Sequence, residues 1–69
     1  MKMTVRTTWN GKYEIIGARH VENNVYEMRY VYAFGGKFYK TLNNAIRAIN
    51  NKGYEYIPNN EITLVCGWD

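Results

Sequence analysis

Residues 2–21, "KMTVRTTWNGKYEIIGARHV", hold the pattern that decides the fold. Alternating apolar and polar positions flank Asn10-Gly11, a dipeptide that supplies the positive φ angles a two-residue type I′ turn requires, so the stretch predicts a β-hairpin. A two-residue loop places Trp9 opposite Lys12, Val5 opposite Ile16 and Met3 opposite Ala18. One face then carries Met3, Val5, Thr7, Trp9, Ile16 and Ala18. The other carries Arg6, Tyr13, Ile15 and Arg19 and is expected to be partly wet.

Downstream, "ENN" at 22–24 reads as a turn, and "VYEMRYVYAFGGKFYKT" at 25–41 reads as a second hairpin about Gly35-Gly36. In its first strand Tyr26, Met28, Tyr30, Tyr32 and Phe34 share the side expected to face the core, and Tyr39 falls opposite Tyr32 on that side. Phe38 joins Val31 and Ala33 on the outer side. Thr41 is placed to N-cap a helix, "LNNAIRAINNK", whose Leu42, Ala45, Ile46 and Ile49 form one buried stripe. Gly53 follows where a left-handed C′ residue is wanted. Pro58 stops the connection "YEYIPNN", and "EITLVCGW" is a last strand with Ile62, Leu64, Cys66 and Trp68 on one side. The expected fold is α+β: a single antiparallel sheet of about five strands in ββ-ββ-α-β order, with one helix packed on one face.

A chain of 69 residues accommodates one domain, 1–69, with a small core. The 46% of apolar and aromatic residues and the lack of low-complexity runs describe a globular chain. The amino-terminal stretch lacks the apolar run of a signal peptide, no window approaches a membrane span, and the lone Cys66 cannot form an internal disulfide. Cytoplasmic residence is expected, in a host cell if the chain is phage-encoded, with no membrane partner.

Catalysis is not expected. His20 and Cys66 lie in different elements, Cys66 sits on an apolar strand face, and zinc would need three or four ligands. "FGGK" lacks the spacing and helix start of a phosphate loop and is a turn. Neither metal nor cofactor is implied.

Binding is the better expectation. One helix, about 10–12 Å across, cannot cover a five-stranded sheet roughly 20 Å wide, so aromatic side chains are left at its margin. The helix's outer face carries Asn43, Asn44, Arg47, Asn50 and Asn51, and asparagine is a poor helix former. Tyr30, Tyr32 and Tyr39 at the margin, with Arg47, Asn50 and Asn51 on the helix, are the expected contacts to a larger host protein or complex. An alternative uses Arg6, Tyr13, Arg29, Phe38 and Lys40 on the outer sheet face to hold nucleic acid, as interleaved cations and aromatics do. The net charge of +3 fits it, although the cations are dispersed. A twofold mate closing the uncovered half of the core is a third arrangement.

Residues 35–50, "GGKFYKTLNNAIRAIN", resemble small strand-and-helix DNA-binding units of AP2 type, in which a strand leads through a Thr into a helix with alanines on its packing side. Phe38, Thr41, Ala45 and Ala48 carry the likeness, which implies nucleic-acid binding. In composition the chain, short and rich in Asn and Tyr, is also similar to bacteriophage accessory proteins. That likeness implies a binding role, inhibiting or modulating a host enzyme or defence complex.

Overall fold

The computed structural model describes residues 2–34 and 37–65, the Tyr32 side chain excepted. Strands β1 (Lys2–Thr7), β2 (Tyr13–Glu22) and β3 (Val25–Arg29) are followed by a 3₁₀ turn at Tyr32–Phe34, helix α1 (Leu42–Asn51), a second 3₁₀ turn at Asn59–Glu61 and strand β4 (Thr63–Val65). The fold is α+β with a single sheet, in the order β1-β2-β3-β4.

The sheet has four strands and is mixed, because β4 runs parallel to β3, with Tyr26 beside Leu64. The expected hairpin about Gly35-Gly36 is replaced. β3 stops at Arg29, the chain turns through Tyr32–Phe34, and the return segment makes only an isolated bridge from Tyr39 to Tyr13. Gly35 and Gly36 lie outside the described residues, as do Cys66 and Trp68. Among the described residues no return strand lies beside β3, and that edge is taken by β4, which runs parallel to it.

The first hairpin forms in a different register. Val5 pairs with Ile15, Thr4 with Ile16 and Met3 with Gly17. Gly11 alone in the loop has positive φ, +79°, while Asn10 does not. The Gly11 N–H donates to Thr8 O at 3.1 Å and the Thr8 N–H to Lys12 O at 2.8 Å, which is a three-residue loop closing on a left-handed glycine. Relative to the two-residue loop, the pairing slips by one, and a slip of one exchanges every side chain of β2 between the faces. Ile15, not Ile16, therefore joins Met3 and Val5.

The core follows from that register. Met3, Val5, Ile15, Phe34, Ala45 and Ile49 form one buried cluster, flanked by Tyr13, Val31, Tyr39, Ala48 and Tyr56. The helix is fixed at both ends. Thr41 Oγ1 accepts the Asn44 N–H at 3.1 Å. At the other end Gly53, at φ +80°, donates to Asn50 O and Tyr54 donates to Ile49 O, so the last carbonyls are satisfied in a Schellman arrangement. Leu42, expected in the buried stripe, is exposed, and Ala48 packs on the core instead.

Beyond the helix the chain runs beside the free edge of β1. Met3 donates to Glu55 O at 2.8 Å, Ile57 donates to Met3 O at 2.9 Å, and Asn59 Nδ2 continues the series onto Val5 O at 3.1 Å. Four residues later Thr63 donates to Asn24 O at the opposite edge. Four Cα steps reach at most about 14 Å. A flat sheet would separate β1 from β4 by roughly 14 Å sideways, with a further offset along the strands. The sheet is therefore strongly twisted and coiled, bringing its two edges within reach of one turn. Thr4, Ile16, Ala18 and Tyr26, on the side away from the helix, are buried as a result. The second 3₁₀ turn packs against β1 and β4, and Arg6 Nη1 reaches Met28 Sδ across β2.

The loop geometry gives a direct expectation. Gly11→Ala forces a Cβ into the left-handed region and should cost about 1–2 kcal/mol in chemical denaturation. Asn10→Asp should stay within about 0.5 kcal/mol, because the carboxylate keeps the acceptor that the Thr8 hydroxyl binds.

Candidate functional site: the hairpin tip and its flanks

The β1–β2 loop is tied by Thr8. Its hydroxyl accepts the Lys12 N–H at 3.1 Å and donates to Asn10 Oδ1. This knot holds the backbone of Trp9, whose side chain is 97% exposed. Tyr39 exchanges two backbone hydrogen bonds with Tyr13, at 2.9 and 2.8 Å. Side chains alternate along an extended segment, so Tyr39 turns to the core while Phe38, 53% exposed, turns to the hairpin. Trp9 and Phe38 line one concavity of about 610 Å³ together with Arg6, Thr7, Thr8, Asn10 and Glu14. Arg6 Nε donates to Glu14 Oε1 at 2.9 Å, a cross-strand pair beside the aromatics.

A second concavity, about 390 Å³, lies on the other side of residues 37–39, lined by Ala33, Phe34, Lys37, Tyr39, Ala48, Asn51 and Lys52. It brings Tyr39 and Asn51 together. Arg47 and Asn50 are exposed on the helix. Tyr30 is 65% exposed just beyond β3, and Tyr32 lies in the first 3₁₀ turn. Tyr32 aside, these residues do not line one concavity. Tyr39 belongs partly to the core, and Asn51 borders a groove from which Asn50 is rotated away by a helical step of about 100°.

The nucleic-acid set is divided by the register. Tyr13 and Arg29 share the helix side of the sheet with Met3, whereas Arg6 is on the opposite side. Its sheet cations are also engaged in ion pairs. Arg6 pairs with Glu14, while Arg19 Nε and Arg29 Nη2 both bind Glu27 Oε1, at 2.7 and 2.5 Å. Phe38 stays exposed at the tip and Lys40 beyond it. Trp9 was hidden from the sequence reading by the two-residue loop, which placed it on the apolar face. The signal that could have found it is Thr8, whose hydroxyl suits a longer loop.

His20 plays a structural part. Its Nε2 contacts Asn23 O at 2.8 Å, and its ring meets Tyr26 edge-on at 5.2 Å. Among the described residues no group of three or more His, Cys, Asp or Glu is placed to hold a metal, and no helix is long and apolar enough to cross a membrane. Comparison with protein-family models, curated proteins and solved structures finds no match to this chain.

The Arg19 guanidinium, then that of Arg29, holds the Glu27 carboxyl below the usual carboxylate range against the opposing effect of desolvation. A carboxylate depressed in the folded state contributes stability that is present above its unfolded value and lost as pH falls through the folded one. Melting temperature should therefore drop as pH falls below the ordinary glutamate pKa of about 4.3, and Glu27→Gln should show a shallower drop over the same range. Parallel curves for the two proteins would contradict the assignment.

Proposed function

We propose that this chain acts by binding and not by catalysis: an accessory protein of the phage type that docks on a larger host protein and covers a site there. The hairpin tip is the anchor. The observation that carries this reading is Trp9, 97% exposed on a loop whose backbone is held by hydrogen bonds. An indole in water forgoes the burial of some 150–250 Å² of mostly apolar surface. On a fixed loop, most of the ordering cost of presenting it to a partner is already met.

The surroundings suit a protein partner. Phe38 extends the apolar centre, and Arg6, Glu14, Thr7 and Asn10 form a polar rim, the usual layout of an interface. Tryptophan and arginine are also the residues on which binding energy concentrates. Tyr30, Tyr39, Arg47, Asn50 and Asn51 lie on other parts of the surface and belong to the periphery of this contact or outside it.

The test is capture of a host protein on the immobilised chain, quantified with purified partner. Trp9→Ala should weaken binding at least tenfold, equivalent to about 1.4 kcal/mol, with an unchanged melting temperature because the side chain packs on nothing. Phe38→Ala should weaken it less. Full retention by both variants would remove the tip as the contact.

A further inference from the structure

We infer that the surface built by residues 37–52 is a second binding site, distinct from the hairpin tip, that takes the sugar-phosphate backbone of a nucleic acid. Three observations lead there.

The first is where charge is left over. Lys2 is paired with Glu55, Arg6 with Glu14, and Arg19 and Arg29 with Glu27. Among the described residues no ion pair engages Lys12, Lys37, Lys40, Arg47 or Lys52. Lys2 and Arg6 each have a carboxylate of their own, Arg19 and Arg29 share one, and the cations without an ion pair lie outside the strands.

The second is an absence of acid over a long stretch. From Met28 to Tyr54 the sequence contains no Asp or Glu, and this stretch includes the whole of α1. A helix N-terminus ordinarily favours acidic residues, and exposed helical positions ordinarily take Glu with Lys. Here the first turn has none. Its exposed positions are Leu42, Asn43, Asn44, Arg47, Asn50 and Asn51. The chain carries five Glu outside this stretch, so Glu is not scarce in the sequence as a whole. A surface cleared of negative charge is what an anionic partner requires.

The third is convergence in space. Lys37 and Lys52, far apart in sequence, line the same groove of about 390 Å³, with Asn51 between them on the helix. Lys40 is one residue beyond the groove-lining Tyr39. Arg47, four residues before Asn51, stands one helical turn above it on the same side. Lysine is depleted at the centres of protein interfaces, whereas Lys, Arg and Asn side chains are standard donors to phosphate oxygens. The groove sets the donors Lys37, Asn51 and Lys52 around a floor of Ala33, Phe34, Tyr39 and Ala48, and with no carboxylate in its lining those donors suit a phosphate backbone.

The experiment follows fluorescence anisotropy of a labelled random-sequence oligonucleotide, single- and double-stranded, against salt. The full chain should bind at low salt with affinity falling steeply as salt rises. Lys37→Gln and Lys52→Gln should each reduce the log–log salt slope by about 1, and the double variant should bind at least about tenfold more weakly. Lys2→Gln and Arg19→Gln, whose charges are already paired, should change affinity less than about twofold. Trp9→Ala should bind as the unaltered chain does, which separates this site from the hairpin tip. Circular dichroism checks the helix in Lys52→Gln, and Lys37→Gln, outside the helix, is an independent test. No binding at low salt would overturn the inference, and so would equal losses in the control variants. Equal binding of polyglutamate with the same dependence on Lys37 and Lys52 would overturn it in favour of an acidic protein.

Discussion

Gly11 sits at φ +79°, and the hydrogen bonds around it leave the hairpin one register to adopt. Everything else depends on that register. It sets Val5 against Ile15, so that Met3, Val5 and Ile15 form the floor on which Ala45 and Ile49 settle. It directs the outward backbone groups of Met3 to Glu55 and Ile57, which fixes the chain beyond the helix along the β1 edge. From there only a strongly coiled sheet lets the chain reach β3 as a parallel partner. A one-residue slip in the first loop would bring Ile16 and Ala18 under the helix and Ile15 out of the core.

The same constraint organises the charged surface. Glu14 falls beside Arg6, and Glu27 falls between Arg19 and Arg29, because each pairing places the carboxylate on the same face as its cations. Exposed ion pairs contribute little to stability, but they cancel the field that a phosphate or acidic ligand would feel. Among the described residues, the cations without an ion pair are Lys12 in the hairpin loop and, in the segment after the first 3₁₀ turn, Lys37, Lys40, Arg47 and Lys52. Paired cations thus lie on the strands and unpaired ones outside them. The apolar anchor at the hairpin tip lies on one side of residues 37–39 and the cationic groove on the other.

Much of this was legible in the residues, and the failures have one source. The cap at Thr41, the left-handed Gly53 and the helix between them depend on local signals, and local signals survive folding. The hairpin was legible as a hairpin, but Asn-Gly serves two loops of different length, and the choice rests on hydrogen bonds from Thr8 that sequence spacing does not encode. The aromatic row from Tyr26 to Phe34 alternates like a strand, yet the chain leaves the sheet after Arg29 and sends Phe34 into the core through a 3₁₀ turn. Its Tyr54 contact, rings 5.8 Å apart, is tertiary and has no local signature. Of the binding surface, the Asn-rich helix face was visible from composition. Which cations stand free was not, because pairing across strands changes with register.

Cross-strand NMR contacts between Hα protons of β1 and β2 test the account most directly, since odd-numbered residues of both strands form the closely spaced, non-hydrogen-bonded pairs. The account predicts strong Hα–Hα contacts for Val5–Ile15 and Thr7–Tyr13. Hα–Hα contacts at Arg6–Ile15 and Thr4–Gly17 would contradict it, because a two-residue loop makes Trp9–Lys12 and Val5–Ile16 hydrogen-bonded pairs and these the close ones.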